Sequence, residues 1–148
     1  MFIAYEKKYL FPGSKTVFGK ALSIINFINS HTAFSQPSDE IAKQNHIRAS
    51  YIEYDGSGKK MSKGFMSEGE AISFKDNPDS GRGADAYDIF GEEVGAWGTP
   101  GGLKETLQSM RSSSEAGIYK TGLITFYGTS GDVLGSTADF NDLFNRPQ

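Results

Sequence analysis

No cysteine occurs among the 148 residues, so neither disulfides nor thiolate metal sites can form. The two histidines, His31 and His46, have no partner at metal-ligand spacing, and no Ser/His/Asp arrangement stands out. No apolar run approaches the ~20 residues that cross a bilayer. The start, Met1-Phe-Ile-Ala-Tyr-Glu6, lacks the basic-then-apolar order of a secretion signal, so a soluble chain with no membrane association is expected. Neither charge sign dominates. Fifteen Lys and Arg against eighteen Asp and Glu give a net charge of −3, which removes bulk basicity as a nucleic-acid signature and leaves only local patches for that role. A phosphate-cradling G-x-x-x-x-G-K-[ST] loop is also missing. Glycine, by contrast, is abundant at 18 residues, which predicts a loop-rich molecule.

The pattern along the chain predicts alternating elements. Residues 1–11 form a short aromatic-rich segment broken by Pro12-Gly13. Val17, Phe18, Ala21, Leu22, Ile25 and Ile28 then recur at helical spacing, with Ser14 or Thr16 placed to cap the helix start. Alternation from His46 to Tyr54, a turn at Asp55-Gly56-Ser57-Gly58 and a return run from Phe65 to Phe74 predict a β-hairpin-like region over 46–74. The glycine-rich stretch 76–84 reads as loop. A strand (86–91), loop (94–101), helix (102–115), strand (120–127), glycine loop (128–135) and short helix (138–145) complete the chain. Strand–helix–strand order predicts a βαβ unit with parallel strands 86–91 and 120–127, hence an α/β fold.

In parallel sheets ligands sit at the carboxyl ends of strands. Two features fall there: Glu92-Glu93 after the first strand, and Gly128-Thr129-Ser130-Gly131-Asp132 after the second. Phosphoryl transfer needs Mg²⁺ near the phosphates and a group that orients the attacking water. Paired carboxylates at a strand tip suit both tasks, with Glu92 on the metal side and Glu93 as base or water-positioning residue. The plainer alternative is a solvated acidic pair, and Asp88 and Gly91 interrupt the run that precedes it. The glycine loop could sense a γ-phosphate or form a simple strand-to-helix turn. Arg82-Gly83 could place a guanidinium on phosphate or merely turn. Gly13-Ser14-Lys15-Thr16 has the final Lys-Thr of a phosphate loop but no glycine before Lys15, and reads as a turn into a helix. Lys59, Lys60 and Lys63 form a basic hairpin tip able to touch DNA phosphates or to stay solvated.

Taken in order, these segments resemble the ATPase region of the large terminase subunit of tailed phages. The resemblance runs from Tyr9-Leu10 to the end of the chain. It is sharpest at Ala71-Ile-Ser-Phe-Lys-Asp-Asn-Pro-Asp79, Arg82-Gly83, Glu92-Glu93-Val-Gly-Ala-Trp97, Tyr119-Lys-Thr-Gly-Leu-Ile-Thr-Phe-Tyr-Gly-Thr-Ser-Gly-Asp132 and Asp139-Phe-Asn-Asp-Leu-Phe144. It implies a partial RecA-like P-loop NTPase core, a single ATPase domain spanning 1–148, in a motor that hydrolyses ATP with Mg²⁺ to thread DNA into a capsid. Glu92 and Glu93 then match the acidic strand-end motif. Gly128, Thr129, Ser130 and Gly131 match the coupling motif, and Arg82-Gly83 matches a recurrent Arg-Gly before the acidic strand, with Arg82 the nucleotide-binding candidate. The partners implied are double-stranded DNA, the portal and procapsid, and the small terminase subunit, in the host cytoplasm.

The chain departs from that pattern in three places. The phosphate-cradling loop belongs upstream and the nuclease domain downstream of what is present, and Gly91 stands where a bulky apolar residue is expected. Two rival readings stay open: a non-catalytic accessory module that binds DNA or protein, and a small nucleotidase using Gly13-Ser-Lys-Thr.

Overall fold

The computed structural model describes residues 1–11, 13–36, 45–75, 77, 79–97, 102–129 and 136–146. In chain order the elements are β1 (Phe2–Ala4), α1 (Lys7–Leu10), α2 (Val17–His31), β2 (His46–Tyr54), β3 (Lys60–Ser73), β4 (Asp88–Glu92), α3 (Gly102–Ser114), β5 (Glu115–Ala116), β6 (Tyr119–Lys120), β7 (Leu123–Phe126) and α4 (Ser136–Asn145). They form two compact units, one of residues 1–10 with 72–148 and one of residues 11–71. Among the described residues no helix is long and apolar enough to cross a membrane.

The first unit is mixed α/β, built on a parallel sheet in the order β1–β4–β7 and compatible with a Rossmann-like arrangement. The expected parallel neighbours are there: Asp88 pairs with Leu123 and Gly91 with Phe126. The 120–127 run, however, is split. Tyr119 and Lys120 turn back on Glu115 and Ala116 as a small antiparallel pair. The amides of Thr121 and Gly122 then bond the Ser114 carbonyl at 2.8 and 3.0 Å, so β7 starts only at Leu123. β4 likewise starts at Asp88, because the Ala86 amide is taken by the Ser113 carbonyl at 2.8 Å.

β1 is a strand that the aromatic-rich segment 1–11 did not announce. Phe2, Ile3 and Ala4 pair with Phe90, Gly91 and Glu92. Three residues are too few for a periodic signal, and in a parallel sheet both faces are covered, so no alternation marks such a strand.

Side chains alternate across the sheet, which puts Ile3, Ile89, Gly91, Ile124 and Phe126 on one face. That face meets the core of Phe74, Val94, Trp97, Leu103 and Met110. Gly91 is the residue that makes the packing fit. A Cβ there would lie 2.4 Å from Phe126 Cδ1. The absent side chain leaves room for the Phe126 ring, which meets Trp97 edge-on at 5.7 Å between centroids. Part of the predicted loop 94–101 is also core: Val94–Ala96 form a 3-10 turn with Val94 and Gly95 buried.

The second unit pairs α2 with the predicted hairpin. Thr16 caps α2 as expected, its hydroxyl oxygen accepting from the Gly19 amide at 3.3 Å. β2 and β3 run antiparallel from His46↔Glu70 to Tyr54↔Lys60, with an irregularity between Arg48 and Ser50. Asp55 builds the tip. Its Oδ1 accepts from the Ser57 amide (2.9 Å), the Ser57 hydroxyl (2.6 Å) and the Lys59 amide (2.8 Å), and these bonds hold its carboxyl below the ordinary range.

Candidate functional site

Because β4 and β7 are parallel neighbours, their carboxyl ends open on the same edge of the sheet. Glu92 closes β4, beside Ala4 on one side, and its carbonyl accepts from the Trp97 indole N–H at 3.0 Å. Glu93 then leaves the strand in the left-handed region, φ 51 and ψ 46. That conformation is uncommon for a non-glycine residue, and it swings the chain toward the end of β7. Val94 follows by donating its amide to the Tyr127 carbonyl at 3.3 Å.

On the opposite strand end, Gly128 has φ 157, and a Cβ there would lie 2.8 Å from both Glu93 Cα and the Val94 amide nitrogen. Only glycine allows the two loops this close. The approach brings Thr129 onto Glu93. The Thr129 amide (3.3 Å) and hydroxyl (3.1 Å) both donate to Glu93 Oε2. One oxygen of the carboxylate is thereby fixed by the neighbouring strand's loop, and the group keeps a second oxygen for chemistry.

Tyr127 joins the cluster. Burial pushes its phenol above the ordinary tyrosine range, and the charges of Glu92 and then Glu93 push it the same way. Sequence reasoning passed over Tyr127. Its only signal was its place at the end of the apolar run, directly before the glycine loop.

The structure brings together Glu92, Glu93, Gly128 and Thr129. Ser130 and Gly131 lie outside the described residues. Arg82 stands elsewhere: it is in the 79–83 turn, exposed, with Nη1 3.7 Å from Asp79 Oδ1. That turn is tied to the end of α3, where the Ser113 hydroxyl donates to the Gly81 carbonyl at 2.7 Å and accepts from the amides of Gly83 and Ala84. The same end of α3 receives the chain entering β4 and β7, so Arg82 sits on the entry side of the strands and the carboxylates on the exit side.

The remaining candidates have local roles. The Gly13 carbonyl accepts from the Thr16 amide (3.2 Å) and hydroxyl (2.7 Å), and a Cβ on Gly19 would lie 1.9 Å from it. A carbonyl oxygen thus occupies the approach to the helix start where a phosphate would need N–H donors. His31 stacks on Phe27 at 4.4 Å, and His46 meets Glu68 at 2.9 Å.

Among the described residues, no group of three or more His, Asp or Glu side chains is placed to hold a metal ion. Glu92 and Glu93 fit Mg²⁺ only in the manner usual for nucleotide enzymes, where one or two carboxylates act together with phosphate oxygens and water. Cavities of about 480 Å³ beside α4 and about 360 Å³ beside β7 open in the first unit, and neither is lined by Glu92, Glu93 or Thr129. Glu92 and Glu93 are both half-buried, and Glu92 Oε2 is itself screened from solvent. Compared with known proteins, the chain matches no family model, no curated protein and no solved structure at a significant level.

Proposed function

We propose that the chain is part of the ATPase region of a tailed-phage large terminase subunit, with the acidic and coupling motifs of a RecA-like P-loop core. The observation that carries this reading is the pair of bonds from Thr129 to Glu93 Oε2 across the exits of two parallel strands. An accessory binding module expects Glu92 and Glu93 on open surface and remote from the glycine loop, whereas both are half-buried and Glu93 is hydrogen-bonded to Thr129 of that loop. The nucleotidase reading loses support from the Gly13 carbonyl over the start of α2.

In the proposed mechanism Glu92 faces the metal side, and Mg²⁺ bound with ATP supplies neutralisation of the phosphate charge. Glu93 orients the attacking water and accepts its proton at a carboxylate oxygen. Thr129 holds Glu93 in place, so a shift of the 128–131 loop moves the carboxylate with it. This is a physical route from the glycine loop to the base, and it is the proposed role of Gly128, Thr129, Ser130 and Gly131 in coupling. Arg82 acts on nucleotide only if another conformation carries it to the exit side. Double-stranded DNA, the portal and procapsid, and the small terminase subunit are the proposed partners, in the host cytoplasm.

The missing phosphate loop sets the test. The isolated chain should bind ATP weakly and hydrolyse it at background rate. Joined to the product of the reading frame upstream, if that frame encodes a Gly-rich Lys-Ser/Thr loop, it should gain Mg²⁺-dependent ATPase activity that Glu93→Gln abolishes. Motor-like hydrolysis by the isolated chain would refute the need for a second segment. An inactive, folded joined protein would refute the ATPase reading.

A further inference from the structure

The distal half of the β2–β3 hairpin has an unequal account of charge. Its acids are already engaged: Glu53 Oε2 lies 2.5 Å from Lys63 Nζ, and Asp55 is held by the Ser57 and Lys59 amides and the Ser57 hydroxyl. Glu68, further down, is held by His46 at 2.9 Å and Arg48 at 2.5 Å. Lys59 and Lys60 are exposed and make no ion pair with any described residue. Glu53 and Lys63 offset each other, whereas Asp55 stays ionised because its partners are neutral donors, so Lys59 and Lys60 outweigh it and the tip keeps a small positive excess.

Aromatic surface lies beside that charge. Tyr54 is 70% exposed and pairs in register with Lys60 across the hairpin. The tip is also rigid, since the Asp55 bonds close the turn and the Asp55 amide donates to the Lys59 carbonyl at 2.9 Å. A preorganised element loses little conformational entropy on binding.

We propose that this hairpin tip is a nucleic-acid contact that takes the phosphate backbone of duplex DNA, with Lys59 and Lys60 as the phosphate ligands and Tyr54 against the sugar edge. A two-stranded ribbon fits the major groove of B-DNA, about 12 Å wide, so the tip can enter with its exposed lysines within reach of the phosphates. The contact is electrostatic and does not read sequence, because Lys59 and Lys60 present point charges and no bidentate base-reading group. It needs no nucleotide, so it stands or falls separately from the ATPase reading.

Fluorescence anisotropy of the full chain with a labelled mixed-sequence duplex, without ATP, tests it. Lys59→Gln/Lys60→Gln should weaken binding about tenfold or more at ~50 mM salt and lower the salt slope by about 2, the value for two lost phosphate contacts. Lys120→Gln, in the other unit, should leave binding unchanged, and circular dichroism should report the same fold for both variants. Absence of duplex binding by the wild type overturns the proposal, as does binding that ignores the double substitution. Tighter binding to a single strand, lost with Tyr54→Ala, overturns the duplex assignment in favour of base stacking. Equal competition by poly-glutamate overturns nucleic acid as the partner.

Discussion

The Thr129 amide and hydroxyl both donate to the same oxygen of Glu93, at 3.3 and 3.1 Å, and so join the exits of two neighbouring parallel strands. The approach depends on Gly128, where a Cβ would lie 2.8 Å from Glu93 Cα. Gly128→Ala should therefore cost about 1–3 kcal/mol in denaturant unfolding, the range for forcing a side chain into a strained backbone position. Thr129→Val keeps the backbone and removes the hydroxyl. It should cost under about 1 kcal/mol, because the bond is exposed, yet impair ATP hydrolysis in the joined protein strongly. A Thr129→Val protein with full ATPase activity would remove Thr129 from the mechanism.

Gly91 and Phe126 make a second dependent pair. Gly91→Ala should destabilise the first unit by about 1–3 kcal/mol, since the new methyl group lands on the Phe126 ring. Adding Phe126→Leu should restore part of the loss. Trp97, the single tryptophan, contacts Phe126 and reports the change by its fluorescence. If the double variant is as unstable as the sum of the singles, the two positions are not coupled and the packing account is wrong.

Tyr127 offers a direct probe of the carboxylates. Burial raises its phenol first, then the charges of Glu92 and Glu93. Glu92→Gln and Glu93→Gln should each lower its titration midpoint toward the ordinary value, read from the tyrosinate absorbance. The linkage follows the same sign. A proton held more tightly in the native state stabilises the fold below the ordinary tyrosine pKa of 10.0, and that contribution is lost as pH rises through the higher native value. Unchanged titration in both variants would mean the carboxylates do not face the ring.

The junction of α3 and α4 should weaken in acid. Lys104 Nζ lies 2.7 Å from Asp142 Oδ2 and 3.6 Å from Asp139 Oδ1, and Arg146 also bonds Asp142. The bond to Lys104 is the largest cause that lowers the Asp142 carboxyl, with Arg146 next. The contribution is present above the ordinary carboxyl range and lost as pH falls through the depressed native value. Protection factors for amide exchange in α4, taken against the intrinsic rate at each pH, should fall on acidification in the wild type and already be low at neutral pH in Lys104→Met. An α4 equally protected in both would assign its docking to apolar contacts alone.

Sequence by itself determined the elements whose cause is local. The 3.6-residue stripe and Thr16 specify α2, alternation around Asp55-Gly56 specifies the hairpin, and the strand–helix–strand order specifies parallel β4 and β7. It also located the carboxylates and glycine loop at strand ends, because that follows from order alone. Tertiary structure decided what depends on residues distant in the chain. β1 is a strand only because Phe90, Gly91 and Glu92 offer it a partner. Gly91, which looks like a defect in its strand, is the space that the Phe126 ring fills. Arg82 and Glu93, close in sequence, fall at opposite ends of β4, because Ser113 ties the turn before that strand to α3. The meeting of Glu93 with Thr129 needs a left-handed turn after one strand and a missing side chain after the other. No local pattern encodes that coincidence, since each half has its reason in the other.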